Sequence, residues 1–376
     1  MEECREAVAW IWVSMLGHPI NKIIGLLENE YGSVIQAFKA SEKGEIGDGI
    51  IKYKKLAQNM ADKEYIKRAD DIFRNAEKKG MKTVHRNMPE YPAILKELPS
   101  SPAVLYCFGN LPYEIYGEMY AERILLSVVG SRNCSAYGYG TALRLSTALA
   151  KRGFGIVSGM ARGIDTAAHR AALDSGGYTI AVLGCGADVI YPKENVGLYE
   201  MIKKRGCIIS EFPPGTPPVR NNFPARNRII AALSYAVTVV EAGQTSGAMI
   251  TAGIAADIGR DVFAVPGNID SPLSFGCNKL IQNGALCVTS EEDILSEIGF
   301  YDTAKPQKDK FSHLCKYEED TCEFAVYSMI RDGVRTTGEI SEKTGIPAGR
   351  VQSLLAILEM DKVIEKNYDG FFYIKP

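Results

Sequence analysis

The stretch "ILLSVVGSRNCSAYGYGTALRLSTALAKRGFGIVSGMARGID", residues 124–165, decides the fold. An apolar run, "ILLSVV" (124–129), meets Gly130. The helix-forming "YGTALRLSTALAKRG" follows and ends in glycine, as helices often do. A second apolar run, "FGIVS" (154–158), then meets Gly159. Strand, helix and strand in this order predict a βαβ unit. Both strands are almost wholly apolar, as strands covered on two faces are.

The same alternation continues along the chain. "YTIAVLG" (178–184), "CIIS" (207–210), "AVTVVE" (236–241), "DVFAVP" (261–266) and "LCVTS" (286–290) read as strands, with helix-forming stretches between them. The fold class is therefore α/β, with a doubly wound parallel sheet over residues 81–300. Upstream, "YPAILKELPSSPAVLYCFGN" predicts an extra strand or two at the sheet edge. Residues 1–80 carry apolar residues at helical spacing and predict a small N-terminal helical domain. Residues 301–320 are polar and read as a linker. Residues 321–376 read as three helices and a hairpin around Asp369-Gly370, the pattern of a winged helix.

Composition narrows the function classes. The chain has 376 residues, 46% hydrophobic and 23% charged, as globular proteins do. Its net charge of −2 provides no chain-wide attraction for nucleic acid, so any such binding needs a local patch. Nine cysteines without a C-x-x-C pair and only four histidines offer no obvious zinc site. The odd cysteine count fits reduced thiols in a cytoplasm. No apolar run is long enough to span a bilayer, and "AVAWIWVSML" follows an acidic start unlike a signal peptide. A cytoplasmic protein without a membrane partner is the expectation.

In a doubly wound sheet, ligands bind beyond the carboxyl ends of the strands. Arg132 and Arg162 follow two of these ends, among Gly130, Ser131, Gly159 and Gly163. Glycine allows close backbone approach and exposed N–H groups. "NNFPARNRIIAALS" (221–234) adds Arg226 and Arg228 near a predicted helix start at Phe223-Pro224. That end of a helix already carries partial positive charge, so the cations call for an anion. Nearby carboxylates or a phosphate would serve, and four converging arginines favour the phosphate. Ser246 and Gly247 open another helix and offer further donors. No P-loop and no clean G-x-G-x-x-G occurs. An arc of arginines suits several phosphates in a row better than one pyrophosphate.

Other residues have competing readings. Tyr137, Tyr139, Tyr191 and Phe223 either pack or stack on bases. His169, four residues after Asp165, reads as a buried, satisfied histidine more than as an acid–base partner. Ser158, Ser210 and Ser246 lack an obvious base. Glu211 and Glu241 end strands at the ligand edge, where they either act as catalysts or hold Arg226 and Arg228.

"VVGSR", "SGMARGIDTAAH", "GCGADVIYP", "SEFPPG", "FPARNRIIAALS", "SGAMITA" and "GCNKLIQNGA" occur in this order. Together they closely resemble the DNA-processing protein A family, also called DprA or Smf, over about residues 85–290. The resemblance implies a Rossmann-like core, a helical N-terminal module of the SAM or helix-hairpin-helix kind, and a winged-helix tail. It implies a non-catalytic single-stranded DNA-binding protein without cofactors. Such a protein protects incoming DNA and loads the RecA recombinase in natural transformation. It implies a homodimer through the core, placed loosely on "AMITAGIAADIGRDVF". The family's pocket residues correspond here to Arg132 and Arg162, and its F-P-x-R-N-R motif to Phe223, Pro224, Arg226, Asn227 and Arg228.

Two departures stand out. Ala248 replaces a frequent serine, and Gln244-Thr245 stand where a basic residue is common. Both weaken a DNA role for the loop at Ser246. The third helix of the tail, "AGRVQSLLAILEM", is poor in cations for a DNA reader, so the tail suits protein contacts. The alternative function is a Rossmann-like nucleotide-binding hydrolase of the phosphoribohydrolase type, using Glu211 or Glu241. A third reading leaves all nucleic-acid contact to the winged helix.

Overall fold

A computed structural model describes residues 2–109, 111, 124–299, 321–331, 334, 336–361, 364–366 and 372–374. The expected linker and the Asp369-Gly370 turn lie outside these residues. The chain divides into two compact units, Met1–Ile298 and Gly299–Pro376.

The first unit begins with six helices: α1 (Glu2–Met15), α2 (Ile20–Tyr31), α3 (Val34–Lys43), α4 (Asp48–Ile51), α5 (Lys54–Ala61) and α6 (Lys63–Lys78). Side-chain caps define some of their starts. Ser33 accepts from the Gln36 amide at 3.2 Å, and Asp62 from the Glu64 amide at 2.9 Å. The apolar run of α1 is buried almost all round. Trp12 meets Phe38 edge-on at 5.5 Å, and Trp10 stacks on His85 at 5.8 Å. The same core takes in Tyr106, Phe108 and Ile208 from the sheet. Packing is thus continuous across residue 80, where the sequence pattern sets a boundary.

Among the described residues, nine strands form the sheet: β1 (Lys82–His85), β2 (Val104–Gly109), β3 (Leu125–Val129), β4 (Gly155–Ser158), β5 (Thr179–Val182), β6 (Cys207–Ser210), β7 (Ala236–Val239), β8 (Asp261–Ala264) and β9 (Leu286–Cys287). Their order is β1-β2-β6-β5-β4-β3-β7-β8-β9. From β6 to β9 all pairs are parallel, with Leu126 opposite Ile156 and Val128 opposite Thr238. β2 adds antiparallel to β6, and β1 to β2, so the expected edge strands form. Chain order runs outward in both directions from β3, which places the switch point between β3 and β7.

The intervening helices are α7 (Ala136–Lys151), α8 (Ile164–Asp174), α9 (Val196–Arg205), α10 (Asn222–Leu233), α11 (Gly247–Asp257), α12 (Phe275–Gln282) and α13 (Glu291–Glu297). α8 and α9 share a core with the N-terminal helices, while α10 and α11 cover the opposite face of the sheet. Apolar strands between two helical layers are what a parallel sheet requires. Ser127, buried in β3, hydrogen-bonds Ser234 at 2.6 Å and the Ile230 carbonyl at 3.3 Å. Those bonds pin the end of α10 to the central strand.

The second unit contains α14 (Cys322–Arg331), α15 (Thr337–Thr344), α16 (Ala348–Met360) and an antiparallel pair, β10 (Ile364–Lys366) with β11 (Phe372–Ile374). Val326, Tyr327, Ile340, Leu354 and Leu358 are in its core. Thr336 caps α15 and Gly345 ends it in a left-handed conformation.

Candidate nucleic-acid interface

The loops after β3, β4 and β5 surround a cleft of about 200 Å³. Arg132, Gly159, Arg162, Tyr191, Phe223 and Arg226 line it. Its inner wall is built from α10 and the β4–α8 loop. Arg226 is 4% exposed, and its Nη1 donates to the carbonyls of Gly159, at 2.9 Å, and Val182. The adjacent Asp165 carboxylate accepts from the amides of Gly159 at 3.1 Å and Ala161 at 3.2 Å. Burial raises the Asp165 pKa against the opposing pull of Arg226, and burial lowers the Arg226 pKa to about 10. A Cβ at Gly159 would lie 2.5 Å from the Arg226 guanidinium nitrogens. Glycine there leaves room for the Arg226 side chain.

The β3–α7 and β4–α8 loops are interlocked. Gly163 has φ +72°, and a Cβ on it would sit 2.3 Å from the Ser131 carbonyl. The Ser131 carbonyl accepts from the Ile164 amide at 3.2 Å, while the Ser131 amide donates to the Glu241 carbonyl at 2.7 Å. Gly130 packs tightly against Ile164. Met160, buried and at φ +60°, holds a conformation unusual for its type. Its carbonyl accepts from Asn195 Nδ2 at 3.0 Å.

The rim has a different character. The Arg132 guanidinium lies over the Phe223 ring, 5.3 Å from its centroid. Phe223 leans on Gly184, and the Tyr191 ring tilts against it at 5.5 Å. Arg162 forms an ion pair with Glu194, and both side chains are about 60% exposed (60% and 59%). Two cations and two aromatic rings therefore face solvent around one cleft. Such a rim can hold a phosphate and a flat base together.

Several expected site residues lie elsewhere. Arg228 pairs with Glu211 at 2.5 Å, as the carboxylate reading of that arginine expects. Asn227 donates to the Gly247 carbonyl at 3.2 Å, and Ser246 caps α11 by accepting from the Ala248 amide at 3.3 Å. Asn227 thereby joins α10 to α11, and none of these residues lines the cleft. Glu241 holds neither Arg226 nor Arg228. Its carboxylate accepts from the Ser135 amide at 2.8 Å and hydroxyl at 2.6 Å, fixing the start of α7. His169 Nδ1 bonds Thr179 Oγ1 at 2.7 Å, and burial lowers its pKa to about 3. It forms no acid–base pair with Asp165.

Neither Arg226 nor Arg228 sits at the start of α10. α10 begins at Asn222, so Arg226 and Arg228 lie in its second turn, beyond most of the dipole's reach. The helical period does not separate them, since Arg226 shares a face with buried Ile229, Ile230 and Leu233, and Arg228 with buried Ala231 and Ala232. The Glu194–Arg162 pair and the Asn195 anchor had no signal in the sequence pattern. Both depend on contacts between separate loops.

Residues 82–299 match the family model for DNA recombination-mediator protein A. The chain belongs to this family. It is 34% identical to the putative DNA processing protein DprA of Mycobacterium tuberculosis, covering 96% of this chain and 92% of that one. It is 48% identical to Protein Smf of Synechocystis over 56% of this chain, which spans about half (52%) of that relative. The solved structure of DNA processing protein A from Streptococcus pneumoniae aligns with a TM-score of 0.61 at 37% identity, covering 77% of this chain and 95% of that one. The family match spans the whole sheet and so includes the cleft. No helix among the described residues is long and apolar enough to cross a membrane.

Proposed function

We propose that this recombination-mediator family member binds single-stranded DNA at the cleft, protects it and loads the RecA recombinase onto it during natural transformation, without catalytic turnover. The observation that carries the reading is the rim: exposed Arg132 and Arg162 beside Phe223 and Tyr191. Phosphate neutralisation supplies affinity and the rings accept any base, so binding is salt-dependent and nearly sequence-independent. Arg226 braces the wall behind them.

Two further observations favour a passing strand over an enclosed small substrate. The cleft is smaller than the roughly 300 Å³ at which small-molecule pockets begin. The carboxylates that a hydrolase would use are engaged: Glu211 by Arg228, Glu241 by Ser135 and Asp165 by backbone amides. α11 presents an exposed Ile250 on the segment proposed for the homodimer. The three helices and hairpin of the second unit fit a winged helix, to which we assign protein contacts. The setting proposed for this work is the cytoplasm.

The test is a titration of a labelled dT oligomer with the full chain and with Arg132→Ala/Arg162→Ala, at low and moderate salt. Melting curves check the fold. Strong wild-type binding lost in a folded variant is expected. Equal binding by both would move the DNA site away from this cleft.

A further inference from the structure

Arg162 is expected to receive a phosphate, yet in the free protein it already has an anion. Glu194 supplies it. The carboxylate sits in the short turn Lys193–Asn195 that follows the cleft residues Tyr191 and Pro192. Its neighbour Asn195, 4% exposed, fixes that turn to the β4–α8 loop. Asn195 Nδ2 donates to the Met160 carbonyl at 3.0 Å and to Thr166 Oγ1 at 2.9 Å. Arg162 follows Met160 by two residues in the same loop. One buried amide thus sets the positions of both members of an exposed ion pair. The Asn195 amide donates to the Pro192 carbonyl at 3.1 Å and closes the turn, and the Glu194 carboxylate is engaged by its own backbone amide as well as by Arg162.

We propose that Glu194 is an internal anion that occupies Arg162 in the free protein and is displaced by a backbone phosphate when a strand binds. The inference rests on the proposed DNA reading of the cleft. A carboxylate and a phosphate present similar oxygens to a guanidinium, so they compete for the same fork. The ion pair is exposed, hence weak and readily exchanged. Glu194 then sets the affinity of the cleft in two ways. It lowers binding by the free energy of the pair that must open. It also repels an isolated anion that lacks the neighbouring phosphates needed to displace it. The cleft therefore discriminates between a polynucleotide and free phosphate or a mononucleotide.

The experiment uses the full chain in five forms: wild type, Glu194→Gln, Arg162→Ala, the double variant and one control. Each is titrated with a labelled dT oligomer and, separately, with dTMP as competitor. Glu64→Gln, an exposed carboxylate on α6, serves as the control for general charge. The expected result is a roughly two- to five-fold tighter oligomer affinity in Glu194→Gln, the scale of one exposed ion pair. No such gain is expected in the Arg162→Ala background or in Glu64→Gln. Competition by dTMP should strengthen in Glu194→Gln. An unchanged or weaker affinity in Glu194→Gln, beside normal wild-type binding, would overturn the proposal alone. So would an equal gain without Arg162. Absence of binding in both wild type and Glu194→Gln would remove the DNA reading, and this inference with it.

Discussion

The inner wall and the rim of the cleft both carry arginine, in different company. On the wall, Arg226 is buried, donates to two backbone carbonyls and faces a buried Asp165. On the rim, Arg132 lies on an aromatic ring and Arg162 holds an exposed carboxylate. The wall's charges are desolvated and fixed, so removing one leaves the other uncompensated. The rim's partners are exposed and exchangeable, so a ligand can replace them. Burial separates a structural arginine from a ligand-binding one.

The largest effect should come from breaking the wall. Arg226→Ala strands Asp165 and is expected to destabilise the first unit by about 3–5 kcal/mol. Urea unfolding measures it, and a loss below about 1 kcal/mol would mean that the wall is not held this way. Next comes the rim. Arg132→Ala/Arg162→Ala should lose oligomer affinity on the order of 150-fold, for two charge-assisted contacts of about 1.5 kcal/mol each. Its stability should change by less than about 0.5 kcal/mol per site, the usual range for surface positions. A variant that unfolds instead would erase the contrast.

Gly159→Ala sharpens the comparison from the backbone side. Its Cβ would meet the Arg226 guanidinium at 2.5 Å, and forced repacking of this kind costs about 1–3 kcal/mol. Unchanged unfolding would show that Arg226 can shift freely. The smallest effect is a slope in pH. Burial holds the His169 imidazole near pKa 3, whereas the unfolded chain titrates near 6.5. The unfolded state takes up the proton first, so stability present above pH 6.5 is lost as pH falls toward 3. One such group contributes at most about 1.4 kcal/mol per pH unit. Asp165, whose pKa is raised, acts in the opposite sense nearer its own range, and His85 acts in the same sense as His169. Denaturant unfolding between pH 6.5 and 5 should therefore show a shallower dependence in His169→Gln than in wild type.

Much of this was legible from residue patterns. The apolar runs at 124–129, 154–158 and 178–184 all became central strands, because a strand covered on both faces has little room for polar side chains. Arg132 and Arg162 could be placed at the ligand edge because they directly follow two such strands. The distinction between Arg226 and Arg162 was harder. It depends on Gly159 and Asp165 meeting α10 across 60 or more residues of chain, and local charge carries no record of that. The role of Glu241 escapes the sequence pattern for a similar reason, since its partner Ser135 comes from another loop. The joining of residues 1–80 to the sheet follows from Trp10, a buried ring of α1 that stacks on His85 of β1.

The central claim is that the rim, and not the wall, meets phosphate. The most direct measurement is the salt dependence of dT oligomer binding by wild type and Arg132→Ala/Arg162→Ala, with melting curves of both. Each lost phosphate contact on a single strand should flatten the plot of log K against log salt by about 0.7, so the double variant should be shallower by about 1.4 with its fold intact. An unchanged slope in a folded variant would contradict the account, because the two rim arginines would then touch no phosphate.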